Sequence, residues 1–342
     1  MRHRLAALAI ALAASPALAK GHLPAPHAAP HAAPPAVVRM ASFLAYEPGW
    51  MPNDRLAFFG NTTADDPVQL YVWAPGPNHL ARATVQAAVR HSLAVWNETF
   101  AYVQPGPDSN ESTPDPAPSD QNLPAPGSDY LVVQQLHETA GRALFQGQIK
   151  PESLHISPDG KRIAFIAQAL DQTMHLALVD VTGGPTHLVD LHLPYAVQSI
   201  VGWNSNRSVI VSTVDTEGDP TERLLMVGAT GVIPLPDGKE PAISPDGKWL
   251  LVKAGAAGVY MRTLYGAGRL LDPTATAYAW APDGKHVFLA QNRDIEEIDL
   301  IGHVLHRWKN VASLSAGQLE VSPDGRYLAF GADFGLSVLR LR

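Results

Sequence analysis

Four glutamates, Glu47, Glu152, Glu240 and Glu320, each stand a few residues ahead of a copy of a recurring turn phrase, and Tyr278 stands ahead of another copy. If the segments carrying them line one channel, their side chains form a rim able to receive a cationic ligand or a metal ion. The plainer reading is a solvated acidic rim, because ionised groups beside water cost little. Four aspartates, Asp159, Asp246, Asp283 and Asp324, could be mistaken for acid–base groups. Each is followed by a glycine: Gly160, Gly247, Gly284 and Gly325. A catalytic pair is unique in its setting, whereas a residue repeated once per unit forms turns. The chain holds 14 histidines, most of them scattered singly. His303 and His306 fall on a hairpin, on opposite faces of a strand. Cleavage after Ala19 would expose Lys20-Gly21-His22. Its free amine, two amide nitrogens and imidazole suit square-planar Cu(II) or Ni(II). Chance in an Ala-, Pro- and His-rich stretch explains those three residues as well. No other metal and no cofactor is expected.

The elements that must position these residues follow from the phrase itself. It reads Ser157-Pro-Asp-Gly160, Ser244-Pro-Asp-Gly247, Ala281-Pro-Asp-Gly284 and Ser322-Pro-Asp-Gly325. Proline presets φ, aspartate bonds its own backbone two residues on, and glycine supplies the positive φ of a tight hairpin. Apolar runs before and after each copy then pair as antiparallel strands. Degenerate copies follow Trp50, Trp96 and Trp203 and extend the series. Unit starts fall at Met51, Asn97, Ser157, Asn204, Ser244, Ala281 and Ser322, with steps of 46, 60, 47, 40, 37 and 41 residues. Each unit carries further short strands, which predicts propeller blades. The expected fold is all-β: a β-propeller of seven four-stranded blades, or alternatively six. Its ring is closed by the N-terminal strand at residues 37–44 completing the last blade, since an open edge would expose unpaired backbone. Trp50, Trp96, Trp203 and Trp280 hold equivalent places and are expected in the structural core.

The Trp/Ile-Ser-Pro-Asp-Gly-Lys phrase followed by an apolar strand resembles the TolB-type propeller repeat, from about residue 46 onward. That repeat also builds the propellers of prolyl-oligopeptidase-like peptidases. Two departures stand out. TolB-like proteins carry an α/β domain ahead of six blades, where this chain has seven repeats and no stretch for that domain. The peptidases add a hydrolase domain with a Gly-x-Ser-x-Gly elbow, and this chain has none. The resemblance therefore implies the propeller's role alone, a binding platform in the cell envelope.

Composition sets the compartment. Residues 1–19 read as a signal peptide, with Arg2 and Arg4 ahead of an apolar stretch and Ala17-Leu18-Ala19 as the cleavage site. There is no cysteine, and no apolar run after the leader is long enough to span a bilayer. A net charge of −7 does not suit phosphate backbones, so nucleic acid is excluded as a partner. Residues 20–36 are expected to be a disordered Pro/Ala/His-rich tether, and 37–342 the propeller. A Pro-rich loop with seven prolines is inserted at 104–128. The function expected is that of a periplasmic or secreted, monomeric, non-catalytic propeller that binds another envelope or periplasmic protein or an envelope ligand. The alternative is a propeller enzyme of lactonase, lyase or hydrolase type with an axial site.

Overall fold

The computed structural model describes residues 37–342, except 41–43, 62–68, 76–79, 83–89, 107–127, 170–172, 190, 192–194, 216–221, 230, 237, 254–257, 267, 312–318 and 333–334. The leader, the tether with Lys20, Gly21 and His22, and most of the Pro-rich loop lie outside the described residues.

Each clear copy of the phrase closes a hydrogen-bonded turn. The amide of Gly160 donates to the Ser157 carbonyl at 2.8 Å, Gly247 to Ser244 at 2.8 Å, Gly284 to Ala281 at 3.0 Å and Gly325 to Ser322 at 2.9 Å. All four glycines have φ between +64° and +72°, a region closed to most side chains. In the three serine copies the hydroxyl is buried. It donates to the aspartate two residues on, at 2.7 Å each time. It also accepts the amide of the residue that starts the next strand, Arg162, Trp249 or Tyr327, at 2.9–3.0 Å. Asp159 and Asp246 are consequently held below the usual carboxylate range, first by their serine hydroxyls.

Strands follow these turns in groups of four. Ahead of the first group stands β1 (Val37–Met40). The first group is β2 (Leu44–Met51), β3 (Arg55–Asn61), β4 (Gln69–Trp73) and β5 (Leu80–Arg82). The second is β6 (Arg90–Trp96), β7 (Thr99–Pro105), β8 (Asp129–Gln135) and β9 (Arg142–Ile149). The third is β10 (His155–Ile156), β11 (Arg162–Gln168), β12 (Met174–Asp180) and β13 (His187–Val189). The fourth is β14 (Tyr195–Ser205), β15 (Ser208–Asp215), β16 (Glu222–Gly228) and β17 (Gly231–Leu235). The fifth is β18 (Lys239–Ile243), β19 (Trp249–Lys253), β20 (Val259–Thr263) and β21 (Gly268–Asp272). The sixth is β22 (Ala277–Trp280), β23 (His286–Gln291), β24 (Asp294–Asp299) and β25 (Val304–Trp308). The last is β26 (Leu319–Val321), β27 (Tyr327–Ala332) and β28 (Gly335–Arg340).

Pairing within groups is antiparallel, and no helix occurs among the described residues. Five sheets are separate and four-stranded. The second and third groups join into one eight-stranded sheet, where β9 meets β11 at Ile149 and Ala167. β1 pairs with β28, Val37 opposite Leu339 and Met40 opposite Leu336, so the last sheet holds strands from both ends of the described chain. The first strands touch in succession: β2 with β6, β6 with β10, β10 with β14, β14 with β18, β18 with β22, β22 with β26, and β26 with β2. This is a β-propeller arrangement.

The buried apolar residues form clusters between consecutive groups. Leu56, Phe58 and Trp73 of the first group also pack on Ala329, Leu336 and Val338 of the last. Tryptophans stitch the same boundaries. Trp203 donates from Nε1 to the His155 carbonyl at 3.1 Å, Trp280 to Ala242 at 3.0 Å and Trp50 to Glu320 at 3.0 Å. The three acceptors share one position, two residues ahead of a phrase. Trp96 reaches instead to the Pro158 carbonyl, at 3.1 Å. Trp203 and Trp280 are buried, while Trp50 and Trp96 are half-buried.

Candidate functional site

The sequence-predicted rim residues sit on or just before first strands. Several of these strands carry register shifts, including β2 between Tyr46 and Gly49 and β18 between Lys239 and Ala242. A bulge re-aims the side chain it carries. Glu240 lies in the β18 irregularity with φ +48°, and Glu152, ahead of β10, has φ +57°. Both are exposed. The Glu240 carboxylate is taken by Lys253 Nζ, and its carbonyl accepts the hydroxyl of Tyr278 from the neighbouring group. The Glu152 amide donates to Ser92 Oγ at 2.8 Å. Glu320 is half-buried, with its carbonyl on Trp50. The side chain of Glu47 lies outside the described residues. The structure thus joins Tyr278 to Glu240, while Glu152 and Glu320 meet partners of their own. His303 and His306 also part company: the first lies 3.2 Å from Asp299, the second against the Leu305 carbonyl. Among the described residues no three His, Asp or Glu side chains are grouped to hold a metal ion.

A half-buried histidine stands among the first strands. His155 is pushed down to about 4 by burial, against a hydrogen bond that its ring donates to the Ile200 backbone and that favours its charged form. It is neutral at pH 7.

Where the first and last groups meet, two turn aspartates face each other. The Asp54 carboxyl is largely buried and lies 3.4 Å from Arg326 Nη1, and Arg326 Nε lies 2.9 Å from Asp324. Burial, then the hydrogen bond and charge of Asp324, raise Asp54 to about 6, with Arg326 opposing. Burial also acts upward on Asp324, but the Arg326 amide, Asp54, Ser322 and the Arg326 charge hold it lower. Below about pH 6 the pair holds one proton, on Asp54. Because the Asp54 folded-state pKa lies above its unfolded value of 3.8, its stabilising contribution is full below about pH 4 and is lost as pH rises through 6. Asp54→Asn keeps a donor to Asp324 and tolerates the local φ of +58°. It is expected to be more stable than the parent by about 1–3 kcal/mol at pH 7.5 and to lose that advantage at pH 4. Urea unfolding of both proteins at the two pH values measures this. Because the comparison is a difference, it cancels His155, whose depressed pKa has the opposite sign. An equal gap at both pH values would refute the proton on Asp54.

The structure also offers a site that the rim reading missed. A cleft of about 340 Å³ lies between the sixth and last groups, lined by Ala281, Pro282, Asp283, His286, Phe288, Glu297, Pro323, Asp324, Gly325 and Arg342. Glu297 is buried in the middle of β24. Its Oε1 accepts Arg342 Nη2 at 3.0 Å and lies 3.8 Å from His286 Nδ1. His286 Nδ1 is 2.8 Å from Asp283. The signal was present in the sequence. Ile295-Glu-Glu-Ile298 puts two adjacent carboxylates in an apolar strand, so one faces each side of the sheet. Glu296 meets Arg307 across β25, and Glu297 faces the cleft.

No protein-family model matches the chain, and no curated protein matches it in sequence. Solved structures do. Oligogalacturonate lyase in complex with manganese aligns with a TM-score of 0.63 at 12% identity, covering 91% of this chain and 97% of that one. TolB from Acinetobacter baumannii aligns with a TM-score of 0.50 at 14% identity, covering 84% of this chain. The chain spans 63% of the TolB length. At these identities the likeness is one of fold: this chain is a β-propeller of the kind that both structures contain.

Proposed function

We propose that the protein is an exported, non-catalytic β-propeller that binds another envelope or periplasmic protein, or an envelope ligand, on its outer surface. The observation that carries this reading is the placement of its exposed large apolar side chains. Leu80, Leu188, Ile233, Leu270, Val304 and Leu305 all lie on the fourth strand of a group. Tyr265 and Ile301, 66% and 63% exposed, sit in the turns leading into β21 and β25. A β-carbon at Gly302 would lie 4.0 Å from the Leu271 carbonyl, so the turn into β25 neighbours β21. An apolar surface gathered on strands with a free edge suits a partner's side chains and backbone. In this reading residues 1–19 are a cleaved leader and 20–36 a tether.

The test is co-purification from envelope extracts with Tyr265, Leu270, Ile301 and Val304 changed to serine. Loss of a partner that the parent retains is expected. Identical partners for parent and variant would refute the surface. The enzyme reading draws equal support from the comparisons, since one similar structure is a lyase with manganese and the other is TolB. It would place chemistry at Glu152, Glu240, Tyr278 and Glu320. Turnover of oligogalacturonate with Mn(II), abolished by Glu240→Gln, would replace the platform with the enzyme.

The ring itself is read as seven blades, with the eight-stranded sheet counted as two and β1 closing the last. Deleting residues 37–40 is then expected to lower the midpoint of a single cooperative thermal transition. An unchanged midpoint would speak against closure.

A further inference from the structure

We propose that the cleft between the sixth and last groups is a binding site for a guanidinium group, such as an arginine side chain of a peptide ligand. One of the four clear phrases, Ala281-Pro-Asp-Gly284, lacks the serine. In the other three copies the hydroxyl holds the turn aspartate at 2.7 Å. Ala281 has no hydroxyl; Asp283 Oδ1 keeps the Lys285 amide at 2.8 Å, and its Oδ2, which in the Asp246 and Asp324 turns meets Lys248 or Arg326, here lies 2.8 Å from Nδ1 of His286, the residue that opens the next strand. The same imidazole nitrogen lies 3.8 Å from the buried Glu297 carboxylate. At this turn a buried carboxylate, an imidazole and two turn aspartates line one recess.

The chemistry of the recess selects its ligand. Asp283, Glu297 and Asp324 supply three carboxylates, against the Arg342 guanidinium and an imidazole. Arg342 lies on Glu297 and Arg326 on Asp324, while Asp283 meets an imidazole and the Lys285 amide rather than a guanidinium. Glu297 is 4% exposed, so its charge is screened by solvent far less than a surface carboxylate. A guanidinium already sits on it: Arg342 reaches Oε1 at 3.0 Å while its own side chain stays 66% exposed. That contact demonstrates the donor geometry Glu297 accepts, and its exposure makes Arg342 displaceable. Pro282, Pro323, Ala281 and Phe288 line the walls, which suits the methylene stem behind a guanidinium. A planar fork of N–H donors matches Glu297 together with a rim aspartate better than a compact ammonium does.

The test is calorimetric titration of the full-length protein with N-acetylarginine methylamide, with the citrulline analogue as a neutral isostere. Saturable binding of the arginine compound is expected, at least ten-fold tighter than the citrulline compound. Arg342→Ala, which removes the internal competitor, is expected to tighten it several-fold, and Glu297→Gln to abolish it. Should Glu297→Gln fail to fold, Asp283→Asn is expected to weaken binding several-fold instead. Equal affinity for the two compounds, weaker binding by Arg342→Ala, or parental affinity in the folded Glu297 or Asp283 variant would each overturn the site.

Discussion

Trp203→Ala is expected to lower the unfolding free energy by about 3–5 kcal/mol, the range for truncating a large buried aromatic. Trp203 is buried in the cluster that joins the third and fourth groups, among Ala164, Ile166 and Leu176 on one side and Val209, Val211 and Leu225 on the other. Removing the indole leaves a void bounded by two sheets, neither of which can close over it without breaking its own ladder. It also strips the donor from the His155 carbonyl, bonded at 3.1 Å, and the ring under the Arg162 guanidinium, 5.2 Å from its centroid. Trp203→Phe separates these effects. It retains most of the apolar volume and lacks the N–H, so a smaller loss of about 1–2 kcal/mol is expected. Guanidinium denaturation of the two variants measures both. A loss below about 1 kcal/mol for the alanine variant would mean that the third and fourth groups do not depend on this contact.

Gly160→Ala is expected to cost about 2–5 kcal/mol, and Gly325→Ala only about 1–2 kcal/mol. The two glycines have nearly the same backbone, φ +70° and +72°, so the conformational penalty for a β-carbon is shared. Their surroundings differ. A methyl at 160 would stand 2.3 Å from Cε3 of Trp96, whereas nothing lies within 4 Å of one at 325. The Trp96 ring is held in place by its bond to the Pro158 carbonyl in the same turn. The methyl must therefore displace an indole that couples the second and third groups. Denaturation of both variants, and of Gly160→Ala combined with Trp96→Ala, measures the overlap, because the double variant should lose less than the sum. Equal losses for the two glycine variants would show that Trp96 moves aside at no cost.

The turns were legible because their chemistry is local. Proline, aspartate and glycine act on backbone within four residues, and the serine hydroxyl closes the same loop. The succession of strands followed from that. The rim was less legible. Which way Glu152 and Glu240 point depends on positive φ and bulges that no periodicity encodes. The cleft was the hardest to see. It rests on an absent hydroxyl at Ala281 and on a contact between Glu297 and Arg342, 45 residues apart. The two buried glutamates of β24 still signalled it, since apolar strands do not carry such residues without partners.

The bond from Trp50 to Glu320 ties residues 270 apart in sequence. Closing a span of that length costs about 5 kcal/mol of chain entropy before any contact compensates. A nascent chain that has made only its early sheets therefore has nothing for Trp50, Leu56 and Phe58 to rest upon until the final strands emerge. The early sheets form by short hairpins, and the last seam forms by a slow, long-range encounter. Completion of the fold therefore waits on its final strands, however early the first sheets pair.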